Sequence, residues 1–314
     1  MKYIGIDLGG TNIKAGIVNE DGTILYKDSV KTNAQRPQDE IIRDMGNLCV
    51  KIAEDAGVPL DEIESIGVGS PGSCDPETGT LVYANNINFS MAPIREGIRK
   101  VVDKPVYLSN DANCAAVGEY FMNDEKTENF VAITLGTGIG GGVIIGKKLY
   151  TGSNGAGAEL GHITMVKDGE PCTCGRNGCW EAYGSVTALI RLTNEAIKKN
   201  PASRVAKIAK EAGKVSGRTA FLAAREGDPV GQAVVDEWIE NVADGVTSIV
   251  NIFQPETLVL GGAICKEGDI LINPIIKYVE KYRYSRPPLA QTIVKIAKLG
   301  NDAGLIGAAF LGKV

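Results

Sequence analysis

Two glycine-rich segments have the composition of phosphate-binding turns. Residues 7–14 read DLGGTNIK, and residues 136–142 read GTGIGGG. Adjacent glycines let backbone N–H groups converge on anionic oxygens, while a threonine hydroxyl donates and a lysine supplies positive charge. An aspartate at the end of a strand suits the Mg²⁺ that accompanies a nucleotide. The candidate nucleotide-binding residues are therefore Asp7, Gly9, Gly10, Thr11, Asn12, Lys14, Thr137 and Gly138.

Neither segment matches the two commonest glycine-rich nucleotide motifs. No GxxxxGK[ST] sequence occurs, and a dinucleotide fingerprint should open a helix, whereas residues 143–146 (VIIG) predict a strand. Two opposed hairpins that each contain Gly-Thr are instead typical of an actin-like ATPase, which holds a triphosphate between them. For the first segment alone, an ordinary hairpin turn with polar residues is the alternative.

A second group of residues has the types and number of a tetrahedral zinc site. It consists of one histidine and three cysteines: His162, Cys172, Cys174 and Cys179. Gly175 and Gly178 permit the tight turns that bring three sulfurs together, and three buried thiols are the alternative. Because four protein ligands leave no position for a catalytic water, the sequence predicts a structural Zn²⁺. Such an ion would orient the flanking carboxylates of Glu159 and Glu181.

A third group follows a predicted strand at residues 106–108. Asp111 comes directly after Asn110, at the carboxyl end of that strand, where α/β proteins build their sites. Phosphoryl transfer needs a carboxylate that accepts the proton of the attacking hydroxyl, although an aspartate here is also a common helix cap. Polyols are bound by amide and carboxylate side chains in pairs. The candidates of this kind are Asn86, Asn110, Glu159 and Glu181.

Alternating strands and helices must position these groups, which favours a parallel or mixed α/β sheet. We predict strands at residues 3–6, 13–18, 23–26, 66–69, 106–108, 131–135, 143–145 and 257–260. A helix is predicted over 37–56, a second from the Asp228-Pro229 cap to Phe253, and a short one over 302–311, with 185–253 mostly helical. The strand–glycine-turn–strand units at 3–18 and 131–145 indicate an internal duplication.

Composition excludes several classes of protein. The 314 residues carry a net charge of −5, which argues against a non-specific nucleic-acid binder. The longest uncharged run, residues 129–146, contains six glycines and does not suit a membrane span. The opening residues lack the apolar core of a signal peptide, so we expect a cytoplasmic protein. An odd count of seven cysteines argues against a disulfide framework.

Taken together, these motifs resemble the ROK family of sugar kinases and repressors, over nearly the whole chain. The shared motifs are DLGGTNIK, GSPG at 69–72, NDAN at 110–113, LGTGIGGG at 135–142, ELGH at 159–162, CTCGRNGCWE at 172–181 and LGG at 260–262. The resemblance implies an actin-like, ribonuclease H-like duplicated α/β ATPase fold with two lobes and a central cleft. The expected lobes are 1–120 plus 300–314, and 121–299, which contains the helical segment and the segment of the predicted zinc ligands, residues 162–179 (the zinc loop).

The resemblance also implies roles. ATP and Mg²⁺ would bind in the cleft, with Gly261 and Gly262 added to the nucleotide contacts, and Asp111 would be the catalytic base. The implied sugar-binding residues are Gly72, Asn86, Asn110, Asp111, Glu159, His162 and Glu181. Phe89 is a departure, since many family glucokinases have tryptophan in this loop. A homodimer, or a dimer of dimers, is expected, with a small sugar as the partner and neither nucleic acid nor a membrane.

The leading hypothesis is an ATP-dependent hexose kinase that phosphorylates the 6-hydroxyl of glucose. An N-acetylmannosamine or N-acetylglucosamine kinase shares the same motifs and stays open. A non-catalytic sugar-sensing regulator is disfavoured by Asp111, by both glycine hairpins and by a start directly at the first strand. An actin-like ATPase of the chaperone or filament kind is disfavoured by the zinc loop and its carboxylates.

Overall fold

The computed structural model describes residues 1–84, 87–125 and 127–314. The chain forms two compact units, of which the first contains residues 1–132, 142–158 and 298–314 and the second contains 133–141 and 159–297. The division expected from the sequence differs from these units at residues 121–132, 142–158 and 298–299, and the lobe boundaries stay a prediction. Asn86, a predicted sugar ligand, lies outside the described residues.

Thirteen strands occur among the described residues. They are β1 (Lys2–Leu8), β2 (Asn12–Asn19), β3 (Ile24–Lys31), β4 (Ile63–Ser70), β5 (Ser73–Asp75), β6 (Thr80–Tyr83), β7 (Ser90–Ala92), β8 (Val106–Asn110), β9 (Phe130–Leu135), β10 (Ile139–Ile145), β11 (Lys148–Tyr150), β12 (Thr257–Gly261) and β13 (Ile293–Ile296). The eight strands predicted from the sequence are confirmed, and each is one to four residues longer than predicted.

The α-helices of the described chain number ten. They are α1 (Gln38–Asp55), α2 (Ile94–Arg99), α3 (Asp111–Phe121), α4 (Glu181–Gly184), α5 (Val186–Lys199), α6 (Arg204–Glu211), α7 (Thr219–Arg225), α8 (Pro229–Phe253), α9 (Asp269–Tyr282) and α10 (Ala303–Ala309). Short 3-10 turns supplement them, among them Leu160–His162. In the part of the chain that is described, none of the helices combines the length and the apolar character needed to span a bilayer.

The main sheet of the first unit has the strand order β3-β2-β1-β4-β8. Its first three strands are antiparallel neighbours, whereas β1, β4 and β8 run parallel. The register places Asp7 opposite Gly69 and Ser70 opposite Asn110. Because parallel strands end at the same edge, Asp7 and the Asn110–Asp111 pair lie along one edge of this sheet.

The predicted apolar stripe of α1 packs into the core of the first unit. Ile41, Met45, Leu48 and Ile52 are all buried there, together with residues of β1, β2 and β4. Burial of one helical stripe against a sheet is the arrangement that a 3.6-residue period predicts. The carboxyl-terminal helix α10 adds Leu305 and Ile306 to a neighbouring cluster.

A second sheet has the strand order β11-β10-β9-β12-β13, and a third, small sheet has the order β5-β6-β7. In the second unit, helices α5 to α8 follow the zinc loop, as the sequence predicts. The cap of α8 is Asp228, whose carboxylate accepts hydrogen bonds from the N–H groups of Gly231 at 3.2 Å and Val205 at 3.0 Å. This one side chain therefore fixes the start of α8 and that of α6.

Candidate active site

The first glycine turn joins β1 to β2 and is held from behind by one threonine. The Thr32 hydroxyl donates to the Gly9 carbonyl at 2.6 Å, and the Thr32 N–H donates to the Thr11 carbonyl at 3.0 Å. The turn is closed by the Gly9 N–H, which donates to the Asn12 carbonyl at 3.0 Å. Thr32 is fully buried, so both carbonyls face protein. Nothing in its sequence context marks Thr32 as a residue that supports the first glycine turn.

Asp7 and Lys14 face each other across the strands that flank this turn. They are register partners of β1 and β2, and Lys14 Nζ lies 3.0 Å from Asp7 Oδ2. Half of the lysine side chain is exposed. An ion pair this open to solvent contributes less than about 1 kcal/mol to stability. Both groups therefore keep most of their capacity to interact with a charged ligand.

Asp111 is the first residue of α3, directly after β8. The Asn110 side chain caps the helix by accepting from the Asn113 N–H at 2.7 Å, and Asp111 Oδ1 accepts from the Ala112 N–H at 2.8 Å. Part of the surface of Asp111 is open to solvent, yet many protein atoms surround its carboxyl group. This burial raises the pKa of Asp111, and the negative charge of Asp7 raises it further. Asp111 is thus both the helix start and a stronger base than a surface aspartate.

The second glycine turn, residues 136–138, joins β9 to β10. Its Gly136 N–H donates to the Gly138 carbonyl at 2.9 Å. Gly262, just after β12, approaches this strand end so closely that a Cβ would lie 2.1 Å from the Leu135 carbonyl oxygen. The structure therefore brings the LGG motif beside the turn that contains Thr137. Only glycine permits this approach, since Gly262 also has a φ of 108°.

The four predicted zinc ligands form one cluster. The ligand atoms of His162, Cys172, Cys174 and Cys179 all lie within 4.8 Å of one another. His162 Nδ1 is 3.6 Å from Cys172 Sγ, and Cys174 Sγ is 3.6 Å from Cys179 Sγ. A zinc tetrahedron with ordinary bond lengths has edges of about 3.5 to 3.8 Å. The donor set and its spacing therefore fit Zn²⁺.

The loop that presents these ligands is folded by short-range backbone pairing. Antiparallel bridges join Thr164 to Cys179 and Pro171 to Asn177. A Cβ at Gly178, whose φ is 82°, would lie 1.6 Å from the Val166 carbonyl oxygen, so the tight turn requires glycine there. The ligand arrangement is thus built into the backbone of the loop, as the two glycines in the sequence suggested.

Glu181 connects the zinc loop to the second glycine turn. Its Oε2 accepts from the Ile139 N–H at 2.9 Å, and its Oε1 accepts from the Thr173 hydroxyl at 3.3 Å. A cavity of about 530 Å³ lies beside these groups. It is lined by Thr137, Gly138, Cys172, Thr173, Glu181 and Arg191, among others. A predicted zinc ligand, the Glu181 carboxylate and the second glycine turn therefore lie together in one part of the second unit.

The remaining predicted ligands have simpler surroundings. Glu159 immediately precedes the 3-10 turn Leu160–His162, where its carbonyl accepts from the His162 N–H at 3.0 Å. Gly72 is exposed in the turn that follows β4. The structure thus places Glu159 next to the predicted zinc ligand His162 in the second unit and Gly72 beside the strand ends of the first.

Comparison with known proteins decides the family. The model of the ROK family matches residues 3–314. This chain belongs to the ROK family. Two relatives named glucokinase, from Thermotoga maritima and Streptomyces coelicolor, are each 37% identical, covering 100% and 99% of this chain and 98% and 97% of their own lengths.

A solved ROK family structure has the same fold. A ROK family glucokinase from Streptomyces griseus, in complex with glucose and AMPPNP, is 35% identical with a TM-score of 0.79, and the match covers 99% of both chains. The fold predicted from the sequence, the mixed α/β actin-like ATPase fold of the ROK kinases, is thereby confirmed. The repeated strand–glycine-turn–strand unit in each half is its visible duplication.

Proposed function

We propose that this chain is a glucokinase that transfers the γ-phosphoryl group of ATP to the 6-hydroxyl of glucose. The products are glucose 6-phosphate and ADP. Full-length similarity to glucokinases supports ATP-dependent phosphorylation of a hexose. The observation that carries the proposal is the position of Asp111, a crowded carboxylate on the same sheet edge as Asp7 and the first glycine turn.

Asp111 acts as the general base. A sugar hydroxyl is a poor nucleophile at neutral pH, and its proton must leave as the new O–P bond forms. A carboxylate within about 3 Å of that oxygen orients it and accepts the proton. The raised pKa strengthens Asp111 as a base, and its bond to the Ala112 N–H at 2.8 Å holds the carboxylate in place.

The sugar is bound through its other hydroxyls by amide and carboxylate side chains. Asn110 stands beside the base, and Glu159 and Glu181 flank the zinc loop. Since His162 Nδ1 faces the Cys172 thiol at 3.6 Å, its Nε2 remains available to donate to a sugar hydroxyl. The family resemblance implies the same role for Gly72 and Asn86.

The phosphates are bound by the two glycine turns. In the first turn, phosphate is bound by the N–H groups of Gly10 and Thr11 and by the Lys14 ammonium. In the second turn, it is bound by Thr137 and Gly138, and Gly261 and Gly262 lie beside that turn. Asp7, near the end of β1, would face the Mg²⁺ of the nucleotide, and Asn12 is assigned to the nucleotide contacts of the same turn. When bound, Mg²⁺ neutralises charge that develops on the phosphate oxygens during transfer.

The cysteine-histidine cluster holds a structural Zn²⁺. His162, Cys172, Cys174 and Cys179 would be its ligands, and they leave no open coordination position. The ion would supply a rigid support for the ring of His162 and for Glu181, which contacts Thr173 inside the loop. His162 would therefore have two roles, because one of its ring nitrogens would bind the metal and the other would bind a sugar hydroxyl.

We further propose a cytoplasmic homodimer, or dimer of dimers, that binds no nucleic acid and no membrane. Equilibrium sedimentation tests the assembly state of the purified chain.

A coupled assay of ADP release over a panel of sugars tests the function. We expect fast turnover with glucose and only slow hydrolysis without sugar. Preference for N-acetylmannosamine or N-acetylglucosamine would reassign the substrate, and sugar-independent hydrolysis would indicate an ATPase of another kind. Sugar binding without any ADP release would indicate a sensor.

A further inference from the structure

The second glycine turn is held by the first residues of α5. The Val186 N–H donates to the Gly136 carbonyl at 2.9 Å, and the Thr187 hydroxyl donates to the Thr137 carbonyl at 2.7 Å. These partners are fifty residues apart in the chain. The first residues of α5 therefore form hydrogen bonds to two successive carbonyl groups of the turn, both from the same side.

Because a trans peptide is planar, these two hydrogen bonds also fix the direction of the N–H groups that follow the bonded carbonyls. In each planar peptide the C=O and the following N–H point in opposite directions. A Thr137 carbonyl that faces Thr187 therefore turns the Gly138 N–H away from α5, and a Gly136 carbonyl that faces Val186 does the same for the Thr137 N–H. These N–H groups belong to Thr137 and Gly138, the two residues of this turn that the proposed function assigns to phosphate.

We propose that Thr187 is a positioning residue of the nucleotide site, which aims the Gly138 N–H at a phosphate oxygen through the Thr137 carbonyl. This inference rests on the proposed function and names a residue outside the glycine motifs. In this role Thr187 acts through the Thr137 carbonyl and not through a bond of its own to the ligand. The Thr187 hydroxyl bonds to the turn through its side chain, whereas Val186 bonds to it through its backbone N–H.

The behaviour of the Thr187 hydroxyl differs from that of an ordinary helical threonine. Thr193 lies on the same helix, and its hydroxyl donates to the Leu189 carbonyl four residues earlier, also at 2.7 Å. That bond is the usual one for a threonine inside a helix. Thr187, in the first turn of α5, instead directs its hydroxyl out of the helix to the phosphate turn.

The start of α5 is itself rigid, as a positioning element must be. Ser185 caps the helix, with its hydroxyl oxygen accepting from the Ala188 N–H at 3.1 Å. The Ser185 carbonyl in turn accepts from the Trp238 indole N–H at 3.0 Å, and Trp238 is fully buried on α8. A chain of contacts thus runs from the long helix α8 through Ser185 to Thr187 and the turn.

The test is the substitution Thr187→Val, which removes the hydroxyl and keeps the shape. One net hydrogen bond corresponds to a factor of about three to ten. We expect the KM for ATP, and the Kd for ADP by calorimetry, to rise by that factor, while the KM for glucose changes less than about twofold. Thr187→Ser keeps the hydroxyl and should restore both values.

Thr193→Val is the matched control, because it removes a hydroxyl bond of equal length from the same helix. It should leave both nucleotide constants unchanged. Thr187→Ala provides the same comparison if the valine variant does not fold. An unchanged Kd for ADP in Thr187→Val, an equal rise in the KM for glucose, or equal losses in the valine and serine variants would overturn the inference.

The calorimetric arm separates this inference from the proposed function. If the wild-type chain phosphorylates no sugar but its affinity for ADP depends on Thr187, the function would be refuted and the inference supported. Turnover of glucose with a Thr187-independent affinity for ADP would refute the inference alone. A chain that binds no nucleotide would refute both.

Discussion

Replacing Asp111 by asparagine separates the basicity of this side chain from its shape. Asparagine has the same size and retains an oxygen that can accept from the Ala112 N–H, a bond of 2.8 Å in the structure. The first turn of α3 and the Asn110 cap should therefore persist. What is lost is the carboxylate that takes up the proton of the sugar hydroxyl.

The expected loss of rate follows from that role. General-base help contributes about 10²–10⁴-fold, so we expect kcat to fall at least about a hundredfold. A hundredfold corresponds to about 2.7 kcal/mol of lost transition-state stabilisation. The KM for glucose should change less than about threefold, because an amide still bonds to a hydroxyl.

Stability should move in the opposite direction. Burial and the charge of Asp7 raise the pKa of Asp111 above its ordinary value of 3.8, so the folded protein binds this proton more tightly than the unfolded chain does. The stabilising effect of the protonated group is present below pH 3.8 and is lost as the pH rises through the folded pKa. At pH 7 the ionised side chain is therefore destabilising, and Asp111→Asn should be at least as stable as wild type.

Coupled kinetics and thermal unfolding measured on the same samples check both parts. The acid limb of kcat/KM for glucose against pH in the wild type, which reports the free enzyme, should lie above pH 3.8 and disappear in the variant. Asp103→Asn is the matched control, since this aspartate is 89% exposed and pairs with Arg99 on the surface. Near-normal turnover of Asp111→Asn, together with loss of activity in Glu159→Gln, would show that the base is misassigned.

Three further predictions concern the loops. Elemental analysis should find one zinc per chain, and a chelator or Cys179→Ser should lower the melting temperature, because a structural zinc contributes to folding directly; active, folded protein without metal would refute this. Thr137→Val should raise the KM for ATP much more than the KM for glucose, and equal effects would show that the second turn binds no phosphate. Gly178→Ala should destabilise the protein and weaken zinc retention, since its Cβ would overlap the Val166 carbonyl. Gly213→Ala is the control, because Gly213 has a similar φ of 69° and open space around it. That change should lower the free energy of unfolding by only about 1 kcal/mol.

Features that depend on neighbouring residues could be predicted from the sequence. The stripe of α1, the Asp228 cap of α8 and the strand–turn–strand units follow from local periodicity and turn chemistry. The zinc ligands were equally readable, because His162 and Cys179 are close in the chain and the loop folds by short-range pairing. Motif order then sufficed to predict the family and the fold.

Only the tertiary structure decided which side chains hold those motifs in place. Thr32 and Thr187 fix the carbonyls of the two glycine turns from 23 and 50 residues away, and Glu181 reaches Ile139 across 42 residues. The raised pKa of Asp111 likewise depends on atoms that crowd it and on Asp7 in another strand. Hydrogen-bond partners and desolvation depend on distance in space, and sequence spacing carries no record of such long-range contacts.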